Sequence, residues 1–215
     1  MSEELKDQGL IKFNELLEKK NYDLVIEHLE KLNTPKELMF FHKAFISYDQ
    51  GDLVGARILL EKAKLNGFYS PEVMQALEVV KRDLQINYIE SDQSFMDKFV
   101  IESKSVSDLF YPTMSLFFLL LMIGLWIKKF KILSLLMLSI SILSISFYGY
   151  LTFISLNISK EENIVRTGPS RIFEEAQKIP AGLRFVITKK YKDWSYVDFP
   201  KDYRGWIYQL KATEL

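Results

Sequence analysis

The chain has 215 residues, with 28 basic and 28 acidic side chains and no cysteine. The balanced charge lacks the basic excess typical of nucleic-acid binding, and the absence of cysteine excludes disulfides, thiolate metal sites and a cysteine nucleophile. The length predicts more than one structural unit. Charged residues are concentrated towards the two ends, so three regions of different character are expected.

Residues 1–88 have helical periodicity with breaks at LNTPKE and LNGFYSPE. Two pieces of this region, KKNYDLVIEHLEKLN and DQGDLVGARILLEKAKLN, resemble each other. Internal similarity between helix pairs is the signature of a helical solenoid. The breaks predict helices near Glu3–Lys20, Tyr22–Leu32, Pro35–Asp49, Leu53–Asn66 and Pro71–Tyr88.

The second piece resembles the tetratricopeptide repeat because small residues stand at the helix-packing positions and at the turn of the pattern. These residues are Ala44, Gly51, Ala56 and Ala63, and the degenerate first copy has Tyr22 and Val25 in matching places. The resemblance implies a concave groove that holds peptides or partner helices without catalysis. His28 and His42, the only histidines, lie on different helices and are interpreted as packing or surface residues rather than ligands.

Two uncharged apolar segments, residues 109–127 and 132–156, are long enough for α-helices that cross a hydrocarbon core of about 30 Å. The motif SISILSIS within the second segment would predict a strand by itself, but an isolated strand leaves its backbone groups unpaired in lipid. Serines recur at a spacing of one heptad and are either helix-packing positions or simply tolerated. The pairs are Ser134 with Ser141 and Ser139 with Ser146.

Residues 128–131 join the two apolar segments and contain three lysines, Lys128, Lys129 and Lys131. The positive-inside rule predicts that this turn is cytoplasmic and that both flanking regions lie on the opposite side. The first ten residues, MSEELKDQGL, do not predict a secretory signal. Either the N-terminus is native and untargeted, or a signal has been removed or replaced. Without a cleaved signal, the predicted orientation requires about a hundred N-terminal residues to cross the membrane ahead of the first span.

Residues 89–108 precede the first apolar segment, and their apolar positions include Phe95, Phe99 and Val100. This spacing suits a short amphipathic helix on the membrane surface, or the segment is a plain linker.

Residues 157–215 have the alternation and turn signals of a small all-β domain of about five strands. The motifs NIVRTGPS, DWSYV and RGWIYQL occur in the order of the bacterial SH3 domain, which this region resembles. The resemblance implies a small barrel in which an aromatic groove takes short peptides or cell-wall stems. The positions expected in such a groove are Tyr191, Trp194, Tyr203 and Trp206. The alternative interpretation places Trp194, Trp206 and Tyr208 in the core or rim of the barrel.

The order of the three parts, helical repeats, membrane hairpin and SH3-like barrel, resembles the BatE-type proteins of bacterial aerotolerance operons. That resemblance implies an accessory subunit of the bacterial inner membrane with both soluble regions in the periplasm. It also implies von Willebrand A-domain membrane proteins and a MoxR-type ATPase as associated proteins, and a link to oxidative-stress tolerance.

The sequence contains no phosphate-binding loop, no His/Asp/Glu cluster with metal-ligand spacing and no serine nucleophile with a base. We therefore expect no enzymatic activity, no metal and no cofactor. Three roles remain open: a membrane-anchored scaffold, a peptidoglycan-binding sensor acting through the barrel, and a barrel that serves only as a folded plug.

Overall fold

The structure, a computed structural model, describes residues 20–31, 34–106 and 109–215. The helix expected at Glu3–Lys20 lies outside these residues except for Lys20. The described residues form eight α-helices followed by seven strands. The chain divides into two units, residues 1–88 and residues 89–215.

The first unit contains helices α1 (Tyr22–Lys31), α2 (Lys36–Asp49), α3 (Leu53–Leu65) and α4 (Pro71–Asp83). The side chains of Asp52 and Ser70 cap α3 and α4 by accepting hydrogen bonds from backbone N–H groups of their first turns. Gly51 has φ +84°, a conformation that glycine adopts at little cost, in the turn between α2 and α3. The core between these helices consists of Ala44, Ala56, Leu60, Val73, Leu77 and Val80.

The last helix of this unit is shorter than the sequence predicts. Helix α4 ends at Asp83, and Gln85 takes a positive φ of +57° that interrupts the helical backbone. A separate short helix, α5, then runs from Asn87 to Asp92.

The two apolar segments form helices α7 (Phe110–Ile127, 18 residues) and α8 (Lys131–Thr152, 22 residues), both long and apolar enough to cross a membrane. Helix α8 begins inside the predicted turn and ends before the predicted limit at residue 156. Ser155 and Leu156 instead pair with Ile187 and Val186 in the sheet. The apolar run is continuous across this boundary because its last residues are buried in protein, which hydropathy alone does not distinguish from lipid.

The C-terminal part is one antiparallel sheet of seven strands in the order β3-β2-β6-β5-β4-β1-β7. Residues on one side of strands β2 to β6 form a single buried cluster that includes Val165, Phe185, Val197 and Ile207. The sheet must therefore curl around its own inner face. Its strands are β1 (Ser155–Ser159), β2 (Asn163–Arg166), β3 (Glu175–Ile179), β4 (Arg184–Tyr191), β5 (Trp194–Phe199), β6 (Gly205–Tyr208) and β7 (Ala212–Glu214).

Helix α6 (Phe95–Lys104) precedes the two apolar helices in the chain and packs against both α8 and the sheet. Its buried Val100 and Ile101 pack in one cluster with Leu151 of α8, Leu156 of β1 and Val186 of β4. Alternation along β4 predicts that Val186 faces outwards with Arg184, yet Val186 is fully buried because α6 contributes to the cluster that covers that side of the strand.

Candidate functional site

An apolar groove of about 320 Å³ lies between α2 and α4 in the helical unit. We call it the helical groove. Its floor is formed by small and aliphatic residues such as Ala44 and Leu60, and Phe45 stands exposed at its edge. The lining comprises Phe41, Ala44, Phe45, Tyr48, Leu60, Glu72, Gln75, Ala76, Val79 and Val80.

Two polar interactions fix the borders of the helical groove. The Tyr48 hydroxyl donates a hydrogen bond of 2.6 Å to Asp83, which ties α2 to α4 and raises the pKa of Tyr48. Glu72 lies in the first turn of α4, where its own backbone N–H and the Ser70 hydroxyl lower the pKa of its carboxyl group. The groove is therefore apolar along its length, with a stable negative charge at its α4 border.

The residues expected at repeat-packing positions lie around this groove rather than in it, with one exception. Ala44 is buried and lines the groove, and Ala56 and Ala63 are buried on α3. Val25 belongs to a separate buried cluster with Leu29 and Ile46.

Tyr22 has a different role from the other repeat positions, because its hydroxyl donates to the Asp49 carboxylate at the end of α2. This hydrogen bond is the main cause that lowers the pKa of Asp49, and the Lys20 ammonium, 3.2 Å from the carboxylate oxygen, lowers it further.

The aromatic lining of the helical groove was not predicted from the sequence. Phe41, Phe45 and Tyr48 are spaced by four and three residues on α2 and therefore share one helix face. The same spacing is usual for residues buried in a core, which is why it did not indicate a groove.

The outer face of the sheet has paired aromatic side chains on neighbouring strands β5 and β6. Trp194 lies 5.1 Å from Tyr208, and Tyr196 lies 5.1 Å from Trp206, measured between ring centroids. Strand residues two apart point to the same face, so all four rings form one aromatic surface, within which Trp194 is buried and the other three rings are half-buried.

Only two of the four aromatic residues expected at the barrel groove belong to this aromatic surface, namely Trp194 and Trp206. Tyr203 packs against the inner cluster, and Tyr191 is exposed at the end of β4. Tyr208 is expected from the sequence only as a core or rim residue, and Tyr196 is not predicted at all, although the repeated aromatic spacing in WSY and WIY is a signal for both.

A cleft of about 320 Å³ adjoins Tyr208 on strands β2 and β6, and we call it the sheet cleft. The Arg171 guanidinium lies 4.5 Å from the centre of the Tyr208 ring, a cation–π arrangement. Arg166 holds the intervening loop because its guanidinium donates to the carbonyl oxygens of Arg171 and Phe173 and to Glu175. The cleft is further lined by Glu162, Asn163, Ile164, Gln209 and Lys211.

Serine hydroxyls join the two apolar helices. Ser115 and Ser141 each donate to the other's carbonyl oxygen, at 3.1 and 2.9 Å, and Ser134 donates to Met122 at 3.1 Å. Ser139 bonds within its own helix, and both Ser139 and Ser146 are exposed, so these two serines are not buried between the helices. The exposed lysines of the turn are Lys128, Lys129 and Lys131.

Among residues 20–31, 34–106 and 109–215, no group of three or more His, Asp or Glu side chains is placed to hold a metal ion. Comparison of the chain with protein-family models, curated proteins and solved structures finds no match.

Proposed function

We propose that this chain is a non-enzymatic scaffold anchored in a membrane, whose helical groove holds a segment of a partner protein. The observation that carries the proposal is the helical groove itself, an apolar channel bordered by one ionised carboxylate. Two candidate spans in the same chain would hold that groove next to a membrane.

The helical unit supports a tetratricopeptide-like assignment in its architecture. The small side chains Ala44 and Ala56 are buried where α2 packs on α3. In the repeat pattern α2 and α3 form one helix pair and α4 begins the next, so the groove lies between the first helices of successive pairs. The curled antiparallel sheet, with its 3₁₀ turn at Lys201–Tyr203 before β6, is compatible with an SH3-like barrel.

The order of these parts supports a BatE-type subunit of a Bat complex as the more specific proposal. Its partners would be von Willebrand A-domain membrane proteins and other Bat subunits, acting with a MoxR-type ATPase in oxidative-stress tolerance. The location that this resemblance implies is the bacterial inner membrane. The positive-inside rule supports an orientation in which the lysine turn is cytoplasmic and both soluble regions face the periplasm.

The chemistry of the helical groove defines the segment it would hold. An apolar lining favours a helix or extended segment that presents aliphatic or aromatic side chains. The ionised Glu72 at the border favours a lysine or arginine beside those side chains.

Replacing Phe45 with Asp tests the proposal, because this exposed side chain lines the groove and contributes little to folding. The variant and the parent chain are purified from native membranes in mild detergent, and co-purified von Willebrand A-domain protein is quantified. We expect Phe45→Asp to lose most of it, whereas Tyr69→Ala, which alters an equally exposed aromatic outside the groove, retains it. Equal recovery with both variants, or no such protein with the parent chain, would reject the proposal.

A second candidate function, a cell-wall sensor, is favoured by the sheet cleft. Arginine, tyrosine and an exposed aliphatic side chain, Ile164, meet there, and together they suit a short peptide that carries a carboxylate. Sedimentation of the detergent-solubilised chain with purified sacculi tests it. We expect Arg171→Ala to reduce sedimentation and Lys192→Ala, which removes a similar cation from the Tyr191 ring, to leave it unchanged.

A further inference from the structure

Helix α6 exposes three large apolar side chains: Phe95 (80% exposed), Met96 (53%) and Phe99 (45%). We call these residues the α6 apolar strip. Contiguous exposed apolar surface of this kind marks a contact with another protein, with a membrane or with a ligand.

The helix cannot rotate to bury this strip, because its other side is already packed. Val100 and Ile101 lie in the cluster shared with α8, β1 and β4. Glu102 accepts a hydrogen bond of 2.7 Å from the Arg184 guanidinium, and Ser94 caps the first turn by accepting from the Asp97 N–H.

The α6 apolar strip is continuous with the apolar surface of the hairpin. Phe95 stacks on Phe99 at 6.2 Å, Phe99 lies 5.5 Å from Phe147 of α8, and Phe147 lies 5.4 Å from Tyr111 of α7. Phe147 precedes the end of α8 at Thr152 by five residues. At about 1.5 Å per residue, Phe99 therefore lies beside a point of the span about 7.5 Å from its end.

We propose that α6 is an interfacial helix whose apolar strip inserts into the boundary between lipid headgroups and acyl chains. The depth matches the roughly 5–10 Å to which interfacial helices are buried, and interfacial helices carry phenylalanine among the residues of their apolar face. The strip adjoins Phe147 and Tyr111 at the sheet-domain end of the hairpin, so the lipid that surrounds the hairpin also reaches α6. Because α6 packs on β1 and β4, its insertion would hold the sheet domain at a fixed distance from the membrane.

The inference rests on the proposal that the hairpin spans a membrane, and one experiment separates the two. The native chain has no cysteine, so single nitroxide labels can be placed at chosen sites. The full chain is reconstituted in phosphatidylcholine vesicles with a label at Phe95→Cys, Phe99→Cys, Lys98→Cys or Phe117→Cys. Power saturation then compares collision of each label with oxygen, which concentrates in lipid, and with a water-soluble nickel chelate.

We expect the labels at 95 and 99 to have an oxygen-to-nickel ratio several-fold above that of Lys98→Cys and below that of Phe117→Cys, within α7. Phe95 supplies the safest variant, since it is the most exposed residue of the strip and its one described ring contact is Phe99.

Three results would overturn the inference or its premise. A ratio at 95 and 99 equal to that of Lys98→Cys would show that α6 faces water. Poor access to both reagents at these sites would show a protein contact instead of lipid. A water-like ratio at Phe117→Cys would reject the spanning hairpin itself.

Discussion

His42 on α2 illustrates how burial changes the chemistry of a single side chain. Desolvation lowers the pKa of His42 below its ordinary value of 6.5, because a half-buried imidazole is protonated less readily than one in water. Between these two pKa values the unfolded chain binds a proton that the folded chain does not. The free energy of unfolding therefore falls as the pH drops below about 6.5.

We expect the thermal midpoint of the helical unit to be lower at pH 5 than at pH 7.5, and His42→Gln to reduce this difference. Far-UV circular dichroism of the full chain in detergent measures the midpoint. Parent and variant are compared first at pH 7.5, where the imidazole is mostly neutral in both states. An unchanged pH dependence in the variant would assign the effect to other groups.

Gly205 at the start of β6 is a position where only glycine fits. Its φ is +153°, and an added Cβ would lie 2.5 Å from Val165 Cγ1 and 2.6 Å from the Arg166 carbonyl oxygen. The second contact is with backbone that is paired to Trp206 and cannot move aside.

We expect Gly205→Ala to destabilise the sheet by about 2–4 kcal/mol through strain and overpacking. Gly149→Ala is the matched control, because a Cβ there meets no atom within 4 Å. Denaturant unfolding, followed by the fluorescence of Trp194 and Trp206 in a Trp126→Phe background, measures both variants. Equal stability of the two would show that the strand adjusts around the methyl group.

At the scale of the elements, the hairpin is held by reciprocal hydrogen bonds as well as by packing. The Ser115 and Ser141 hydroxyls each donate to the other residue's carbonyl oxygen, so removal of either hydroxyl leaves one of these two hydrogen bonds. Hydrogen bonds between helices in membranes contribute about 0.6 kcal/mol on average in double-mutant cycles.

We expect the effects of Ser115→Ala and Ser141→Ala on the free energy of helix association to differ from additivity by about 0.5–1 kcal/mol. The measurement is the free energy of separating α7 from α8 in mixed micelles, for both single variants and the double variant. Ser139→Ala is the control because its hydroxyl bonds to Leu135 within the same helix. Additive effects of the two substitutions would mean that the hydroxyls contribute independently.

The sequence indicates whether most elements are helices or strands, but it indicates their ends less well. Lengths and periods of apolar runs correctly indicate helices before residue 90, two apolar helices in the middle and short strands at the end. The described residues form seven strands rather than about five, because the first begins inside the apolar run and the last has only three residues. The limit of α8 was missed because an apolar residue facing lipid and one facing protein look alike. The burial of Val186 was missed because it depends on α6, a helix distant in the chain.

The candidate sites were less predictable than the elements. The motifs around Trp194 and Trp206 indicate the strands that carry them, whereas the helical groove arises only from how α2 and α4 are spaced. The spacing between helices depends on the sizes of side chains such as Ala44 on several elements at once. The sequence pattern of a single helix therefore does not predict it.

At the scale of the whole molecule, the proposed role depends on which side of the membrane each part occupies. Two spans joined by a short turn require residues before α7 and after α8 to lie on the same side. The described residues of the turn expose Lys128, Lys129 and Lys131, whereas none of the described residues of α7 carries a charge.

We expect single cysteines at Tyr69 and Lys192 to react with a membrane-impermeant maleimide in spheroplasts, and a cysteine at Lys129 to react only after permeabilisation. The native chain contributes no background thiol. Reaction at Lys129 alone would invert the orientation and place the helical groove in the cytoplasm, where a periplasmic partner could not reach it. Reaction at only one of Tyr69 and Lys192 would show that the chain crosses an odd number of times. In that case the helical groove and the sheet cleft could not serve one complex on one side of the membrane.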